Sequence, residues 1–582
     1  MLGLSFALVL GNERLALVLR GADGALQSLH KAGAAQFFGK KQGRAVMKAG
    51  LQMYVWPLGL SLAILVFALA AFDGYYMYDD YSYAYYAYKL RQGDWLLNED
   101  IFTHRWGLIV PQALLYGLLG TGHTANMLLP LLSTLVTLWL LFVFLKKEYP
   151  EQAAAAATLF AGTFYVLFFA NKLYPDPLLM PLALGAALCL WKRKQHFGQG
   201  ALFALLNAWA FLTKELIVYF FPFYLLCLLH DVWRREQGRF WAGALLTALL
   251  LGGSYLWLYE LRVGEALYRF RVIEEGHYAS NLSYFDKDLP QVLQRLTFAP
   301  LVMMVNTGLW LLFVPMALGL RRVFGKKNSE KHPQPLLEKE ESIKSERFAY
   351  QGQSYLQNLF WEYLALSSLL CFWWGTTSLR FYSPIGLLPR MILFFLPVWA
   401  IVAARFWQQP GAWRATAWGW ALGGVAAWWT ISPKYTLLYG LLALAAWGLA
   451  GRYRAYLHGV LLLLLAVQPL YHLYKGTQTG YREEEALLKE LAALPKLKRL
   501  YTDERLYLGY ALYFDFEPPA DLEVRPFEQQ VPQGSYLLLN GHSIEYYSTL
   551  GVVFPDYVLH PDGYARKIAQ KGSVALYRVG EE

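Results

Sequence analysis

Phe72-Asp73-Gly74-Tyr75-Tyr76-Met77-Tyr78-Asp79-Asp80-Tyr81-Ser82-Tyr83-Ala84-Tyr85-Tyr86-Ala87-Tyr88-Lys89-Leu90 follows directly on an apolar run, residues 54–72, long enough to cross a bilayer. A carboxylate beside hydrocarbon is costly, so the adjacent Asp79 and Asp80 at the mouth of a span are functional candidates. The eight tyrosines from Tyr75 to Tyr88 suit a membrane interface, where the ring is in apolar surroundings and the hydroxyl stays wet. The plainer reading of the same residues is an aromatic belt with two solvated aspartates. Either way, membrane lies on one side of this stretch and water on the other.

The rest of the chain agrees with that division. Its 582 residues are 56% hydrophobic and 17% aromatic but only 16% charged, where a soluble domain carries roughly 25% charged residues. Apolar runs near bilayer length recur between residues 54 and 474, so an α-helical polytopic membrane protein is expected. The net charge of +10 needs no nucleic acid to explain it. Most clustered basic residues lie between spans, where they set orientation. Cys189, Cys227 and Cys371 all lie in apolar segments, with neither disulfide nor metal-type spacing.

Residues 1–46 make a poor signal peptide, because no basic region precedes the short apolar stretch 2–11. They are expected to be either a weakly ordered cytoplasmic extension or sequence ahead of the true start at Met47 or Met53, the second being the favoured reading. A membrane domain is expected over 47–475. It has a first outer loop at 73–106, a long outer loop at 260–299 and a charged, proline-bearing cytoplasmic linker at 321–355. Lys146-Lys147, Lys192-Arg193-Lys194, Arg234-Arg235 and Arg321-Arg322 fall on alternate loops, which is the positive-inside pattern. The count is about thirteen spans, which starts the chain inside and ends it outside. Residues 476–582 change character. Helical periodicity over 482–494 and strand patterns over 499–502, 536–539 and 574–578 predict a small outer α/β domain.

On this topology several polar groups converge on the outer face. They are Asp79/Asp80, His104-Arg105, Asp176 between Pro175 and Pro177, Lys214-Glu215, Arg380 and Arg390. Acids set against cations suit a substrate with a nucleophile and an anionic leaving group. A carboxylate can take a proton from a hydroxyl or amine. Arginine grips phosphate through two hydrogen bonds, while lysine acts as a point charge. Each residue has a plainer counterpart. His104 reads more readily as an interfacial histidine than a metal ligand, since spacing fixes no second ligand. Asp176 could cap a helix, Lys214 could snorkel to head groups, and Arg380 and Arg390 could be anchors. Arg390 is harder to dismiss, because it opens a span on the outer side, against the positive-inside bias.

Asp79-Asp80-x-x-Tyr83-Ala84, then Gly93-Asp94-Trp95, Phe102-x-x-Arg105 and Leu119-Gly120, resembles the first outer loop of polyprenyl-phosphate-sugar-dependent membrane glycosyltransferases. The likeness is to the protein O-mannosyltransferase and lipid A aminoarabinose transferase type. The hairpin with Asp176 is similar to that family's second acidic position. Phe211-Leu212-Thr213-Lys214 resembles its short Phe-Leu-Thr-Lys motif, with Glu215 where glycine is usual.

The resemblance implies the glycosyltransferase C fold and a bacterial inner-membrane enzyme working on the periplasmic side. A sugar would pass, with inversion, from a polyprenyl-phosphate donor to a lipid, glycan or protein acceptor. It implies Asp79 as general base or acceptor-positioning group, Asp80 in the adjacent acidic position and Asp176 as the second acid. Arg105, Lys214, Arg390 and Arg380 would hold the donor phosphate. One residue fewer than usual separates Ala84 from Gly93, so the register can slip to Asp80. His104-Arg105 stands where some members carry Glu-Lys. The cation is kept and the acidic metal ligand is not, which leaves His104 as the one candidate ligand of a divalent metal and the cofactor unknown. The rival reading is a lipid or polysaccharide transporter. A transporter should carry its ionisable groups near the bilayer midplane, whereas here they crowd the outer ends of spans.

Overall fold

The structure, a computed structural model, describes residues 40–582 apart from positions 73, 76, 280–283, 285–286, 325–354, 379, 410, 431–432, 450–453, 477–478, 496, 550 and 581–582. Its described residues divide into two compact units, one ending at Leu62 and the other beginning at Ala63. Most of the expected N-terminal extension and nearly all of the expected cytoplasmic linker lie outside the described residues. The first helix, Lys40–Ala70, begins inside the stretch read as extension. In the first unit its internal Pro57 cannot donate a backbone hydrogen bond, and the Ser61 hydroxyl donates to the Pro57 carbonyl at 2.8 Å.

In the second unit, four helical stretches among the described residues are long and apolar enough to cross a membrane: His123–Glu148, Glu215–Trp233, Gly238–Val263 and Pro389–Trp407. Other apolar helices are shorter, among them Trp106–Leu119, Pro175–Trp191 and Phe197–Thr213. Some runs that read as single spans are broken. The run 153–170 is Ala153–Ala161 followed by Phe164–Phe169. The run 300–320 is Ala299–Thr307 and Trp310–Gly319, divided at Gly308 with φ of 83°. Two more stretches open as 3-10 helix, Glu215–Phe220 and Pro389–Phe395, just ahead of Pro222 and Pro397. A proline offers no N–H to the preceding turn, which tightens into shorter-range bonds.

Burial separates the helices into inner and outer ones. Pro389–Trp407 is enclosed by its neighbours, with Leu393, Leu396, Trp399 and Ala400 fully buried. Gly238–Val263 instead exposes Leu245, Leu246, Leu249, Leu250 and Trp257. A continuous apolar face of that size is untenable in water and ordinary against lipid.

The segments read as outer loops are more ordered than that reading suggests. The tyrosine-rich stretch forms a helix, Met77–Arg91, with Asp79 and Asp80 in its first turn. The 260–299 segment contains two helices, Tyr268–Ala279 and Leu289–Thr297. The second is started by Asp288, whose side chain accepts from Gln291 N at 2.9 Å while the Gln291 side chain accepts from Asp288 N at 3.3 Å.

Residues 481–582 build one mixed sheet with helices packed on it. The strands are β1 Lys498–Thr502, β2 Leu522–Pro526, β3 Tyr536–Asn540, β4 Ala565–Lys571 and β5 Val574–Val579, in the order β2-β1-β3-β5-β4. β1 runs parallel to β2 and β3, while β5 is antiparallel to β3 and β4. Tyr501, Leu537, Leu539, Tyr557, Ala575 and Tyr577 form its apolar core. The predicted helix and the three predicted strands are present, the helix as Tyr481–Ala492; β2 and β4, the two edges, are additional.

This domain rests on the tyrosine helix. Phe516 stacks on Tyr88 with ring centroids 4.6 Å apart and lies within 6.5 Å of Tyr81 and Tyr85. His123 and Glu485 pair at 2.9 Å nearby, and Thr121 Oγ1 donates to the Asp515 carbonyl at 3.1 Å. The tyrosines are therefore in good part a docking surface for protein rather than a belt. Phe516 holds a left-handed backbone, φ of 67°, which is costly for a bulky residue. Phe516→Ala is expected to weaken the docking by about 1 kcal/mol, the worth of a stacked aromatic pair. Phe516→Gly should lose less, because glycine relaxes that backbone. Protease susceptibility of residues 481–582 in the intact protein reads this, and two variants as resistant as the parent would remove Phe516 from the contact.

Candidate active site

The site is assembled by close approaches of helix ends. Gly107, in the first turn of Trp106–Leu119, lies against the end of Phe197–Thr213, where a Cβ would meet Thr213 Oγ1 at 2.2 Å and its backbone N at 2.5 Å. Only glycine fits there. The Trp209 indole also donates to the Gly107 carbonyl at 3.0 Å. This contact brings Arg105, just ahead of Gly107, to Lys214-Glu215, just beyond Thr213. Lys214 leaves the helix in an extended conformation, φ −162° and ψ 134°, which turns its side chain inward. Gly74, with φ of 99°, admits the C-terminal domain, because a Cβ would meet Arg482 N at 3.2 Å.

Three ion pairs join acids and cations expected from the sequence, and Arg269 adds a fourth. Asp79 pairs with Arg390. Asp176 accepts from Lys214 Nζ at 2.6 Å. Glu215 lies 3.7 Å from Arg105 and 3.5 Å from Arg269. Arg105 also donates to the Tyr83 hydroxyl. The clusters adjoin one another, since Lys214 Nζ lies 3.2 Å from the sulfur of Met391 and Arg390 lies over the Tyr174 ring at 4.8 Å. Asp176 does not cap its helix, Pro175–Trp191, which has no side-chain cap. It turns instead to Lys214, and its Oδ2 is buried with no hydrogen-bond partner among the described residues.

Exposure separates the pairs. The side chains of Asp79 and Arg390 are 19% and 21% exposed, those of Asp176 and Lys214 only 1% and 3%. A substrate can reach the first pair more readily. Asp80 is 1% exposed, and its charge acts on the buried hydroxyls of Tyr75 and Tyr116. Adjacent residues on a helix point about 100° apart, so the two aspartates serve different surroundings. Burial works against the charged form of Arg105, but Tyr83, Glu215, Asp79 and Asp176 outweigh it and hold the guanidinium protonated above its ordinary range.

His104 does not fit a metal. Its Nδ1 lies 2.7 Å from the Tyr259 hydroxyl and its Nε2 lies 3.0 Å from the Asn98 carbonyl. A carbonyl only accepts, so Nε2 carries the proton and the Nδ1 lone pair takes the tyrosine proton. Burial and the nearby Arg269 lower its pKa to about 4, which keeps the ring neutral. With both nitrogens occupied, no lone pair is left for a cation. Among the described residues no group of three or more His, Cys, Asp or Glu is placed to hold one.

Arg380 is not brought into the cluster. It is exposed on the loop after helix Phe360–Trp374 and joins no ion pair among the described residues. Sequence reasoning missed Arg269 and the pairing role of Glu215. Arg269 lies in a segment read as featureless loop, yet it is 1% exposed, donates to the Phe211 carbonyl at 3.0 Å and covers the Phe211 ring. Glu215 did carry a signal, as an acid where the resembling motif has glycine.

Comparison with known proteins bears on this arrangement. Residues 110–257 match the family of dolichyl-phosphate-mannose-protein mannosyltransferases. No curated protein matches the sequence. Among solved structures, the chain is similar to ArnT from Cupriavidus metallidurans bound to undecaprenyl phosphate, with a TM-score of 0.54 and 13% identity over 91% of this chain and 99% of that one. The apo form of the same protein gives 0.53 and 13% over 92% and 100%. The chain thus has the glycosyltransferase C fold, and the likeness to polyprenyl-phosphate-sugar-dependent glycosyltransferases carried by its first outer loop is met again in sequence over 110–257 and in fold over nine-tenths of its length.

Proposed function

We propose that the protein is an inverting glycosyltransferase that moves a sugar from a polyprenyl monophosphate to a lipid, glycan or protein acceptor. The observation that carries this reading is the partly exposed Asp79–Arg390 pair beside Arg105, Lys214 and Asp176. Asp79 takes the proton from the acceptor hydroxyl or amine as that atom attacks the anomeric carbon. The carbon–oxygen bond to phosphate breaks on the opposite face, and its electrons leave on the polyprenyl phosphate. Arg390 and Arg105 neutralise that charge through charge-assisted hydrogen bonds. The paired groups of the site are Arg105, Lys214, Arg269 and Arg390 against Asp79, Asp176 and Glu215, four cations to three acids, which favours an anionic ligand. Titrating undecaprenyl phosphate tests the phosphate role. Arg390→Ala should weaken binding by about 10–100-fold, the worth of a hydrogen bond to a charged group of about 1.5–3 kcal/mol. Lysine at 390 should restore only part, because the two-pronged geometry is lost. Unchanged binding in both variants reduces Arg390 to an interfacial anchor.

In the same reading the chain has about thirteen spans in a bacterial inner membrane, with the site and residues 476–582 on the periplasmic side. Contacts between distant loops support this sidedness. Lys192 pairs with Glu148 at 3.2 Å, Arg193 with Asp231 at 2.5 Å, and Glu362 with Arg322 and Arg405 at 3.1 and 2.8 Å. All of these residues sit at span ends read as cytoplasmic, and none joins the Asp79 cluster. A cysteine placed at Gly541 should therefore react with a membrane-impermeant reagent in spheroplasts. Labelling only after the inner membrane is ruptured would reverse the orientation.

A further inference from the structure

Four arginines among the described residues are buried as whole residues: Arg105, Arg193, Arg269 and Arg295. The first three each have a carboxylate partner. Arg295 has none among the described residues. Its Nη1 donates to the Trp373 carbonyl at 2.8 Å, and its Nη2 to the carbonyls of Phe372 and Ile385 at 2.9 and 3.2 Å. Residues 372 and 373 end the helix Phe360–Trp374, whose last carbonyls lack helical donors and attract a cation. That accounts for the placement of Arg295, but carbonyl dipoles do not cancel a full charge. Its Nε has no hydrogen-bond partner among the described residues, and neither has the Tyr382 hydroxyl. Burial lowers the pKa of Arg295, opposed by the hydroxyls of Tyr382, Tyr284 and Tyr219 and, among the described residues, by no carboxylate. An isolated buried charge is expensive, so the arrangement favours an anion that completes it.

Arg295 also lines a cavity of about 270 Å³ together with Tyr284, Lys287, Gln291, Gln294 and the 385–387 segment. Lysine, glutamines and tyrosine supply further donors, and the volume takes a phosphate or carboxylate with its nearest substituent. The 385–387 segment ends three residues before Arg390, so the chain that lines the cavity runs on into the candidate active site. The same helix, Leu289–Thr297, carries Leu289 and Leu293 at 68% and 50% exposure, with Phe298 at 51% just beyond it. An apolar strip beside a cationic cavity suits a molecule with a hydrocarbon tail and an anionic head.

We propose that this cavity is a second anion-binding subsite, which takes a phosphate or carboxylate group on a lipid-borne acceptor. The acceptor role rests on the transferase reading above; binding of the anion does not. The test is native mass spectrometry of the purified full chain in detergent with added dioleoylphosphatidic acid, with dioleoylphosphatidylcholine as the neutral control and no sugar donor present. Phosphatidic acid should bind in preference, and should still bind to the Arg105→Ala, Arg390→Ala double variant. Its apparent Kd in that background should rise about tenfold with Lys287→Gln or Arg295→Lys, as expected for losing one charge-assisted hydrogen bond. Lys287 is partly exposed, so Lys287→Gln decides the matter even where Arg295→Lys fails to fold. Equal affinity in the double variant with and without Lys287→Gln overturns the subsite, as does equal binding of the two lipids. Displacement by millimolar inorganic phosphate assigns the site to free phosphate and overturns the lipid-borne acceptor, while indifference to phosphate supports it. Because no sugar is transferred in the assay, a negative result here is separate from failure of the transferase reading.

Discussion

Asp79→Asn is expected to lower turnover by roughly 10²–10⁴, the usual contribution of a positioned general base. Asparagine keeps the size and hydrogen-bonding shape of aspartate but carries no charge and accepts no proton. Asp79 is the accessible member of the acidic pair, in the first turn of Met77–Arg91 and facing Arg390. Donor affinity should change far less than turnover, because freeing Arg390 from its carboxylate leaves it available to phosphate. Asp80→Asn is the control. Asp80 is buried, so its replacement should act on folding and on the Tyr75 and Tyr116 surroundings more than on chemistry. Initial rates at saturating donor, beside a melting curve for each variant, separate the two effects. Should both variants, singly and together, keep full activity, the acidic turn is only the start of an interfacial helix.

Lys214→Met should cost about 3–5 kcal/mol of stability, because it strands the Asp176 carboxylate in a place where water hardly reaches. Both side chains are at most 3% exposed, and Asp176 Oδ2 already lacks a hydrogen-bond partner among the described residues. Asp176→Leu should be costly for the converse reason. The double variant is the informative one. Replacing both members of a buried pair by apolar groups of similar volume is often near neutral, so the double variant should be more stable than either single one. Its activity should nevertheless stay low if the pair also serves the donor phosphate. Equal destabilisation in all three variants would mean that packing, not the charge pair, sets the loss. Activity at parental level in the double variant would confine the pair to a structural role.

The helical membrane character was legible because apolar runs report directly on lipid. Helix breaks were not. The segment 300–320 is apolar apart from Asn306 and Thr307, and its overall hydropathy hides the left-handed turn that Asn306-Thr307-Gly308 makes there. The edge strands of the C-terminal domain were missed for a related reason. β4, Ala565–Lys571, exposes most of its residues, so it lacks the apolar alternation by which Tyr536–Asn540 and Val574–Val579 announce themselves. Charges at span ends pointed to Asp79, Asp176, Lys214 and Arg390 individually. Which acid meets which cation depends on packing between residues as far apart as Asp79 and Arg390, and no local pattern records it. Arg269 entered the site unannounced from the helix Tyr268–Ala279. The eight tyrosines had a sound reason to suit an interface, and the C-terminal domain uses several of them for its own contact through Phe516.

Sugar transfer by the purified, full-length protein in lipid nanodiscs is the most direct test of the account. Undecaprenyl-phosphate-linked sugars, offered one at a time with a lipid extract as acceptor, should yield free undecaprenyl phosphate and an acceptor heavier by one sugar residue, both read by mass. The product should have the opposite anomeric configuration to the donor, and Asp79→Asn should abolish most of its formation. A protein that binds undecaprenyl phosphate and moves it across a bilayer, yet leaves every sugar on its donor, would contradict the account and favour a transporter.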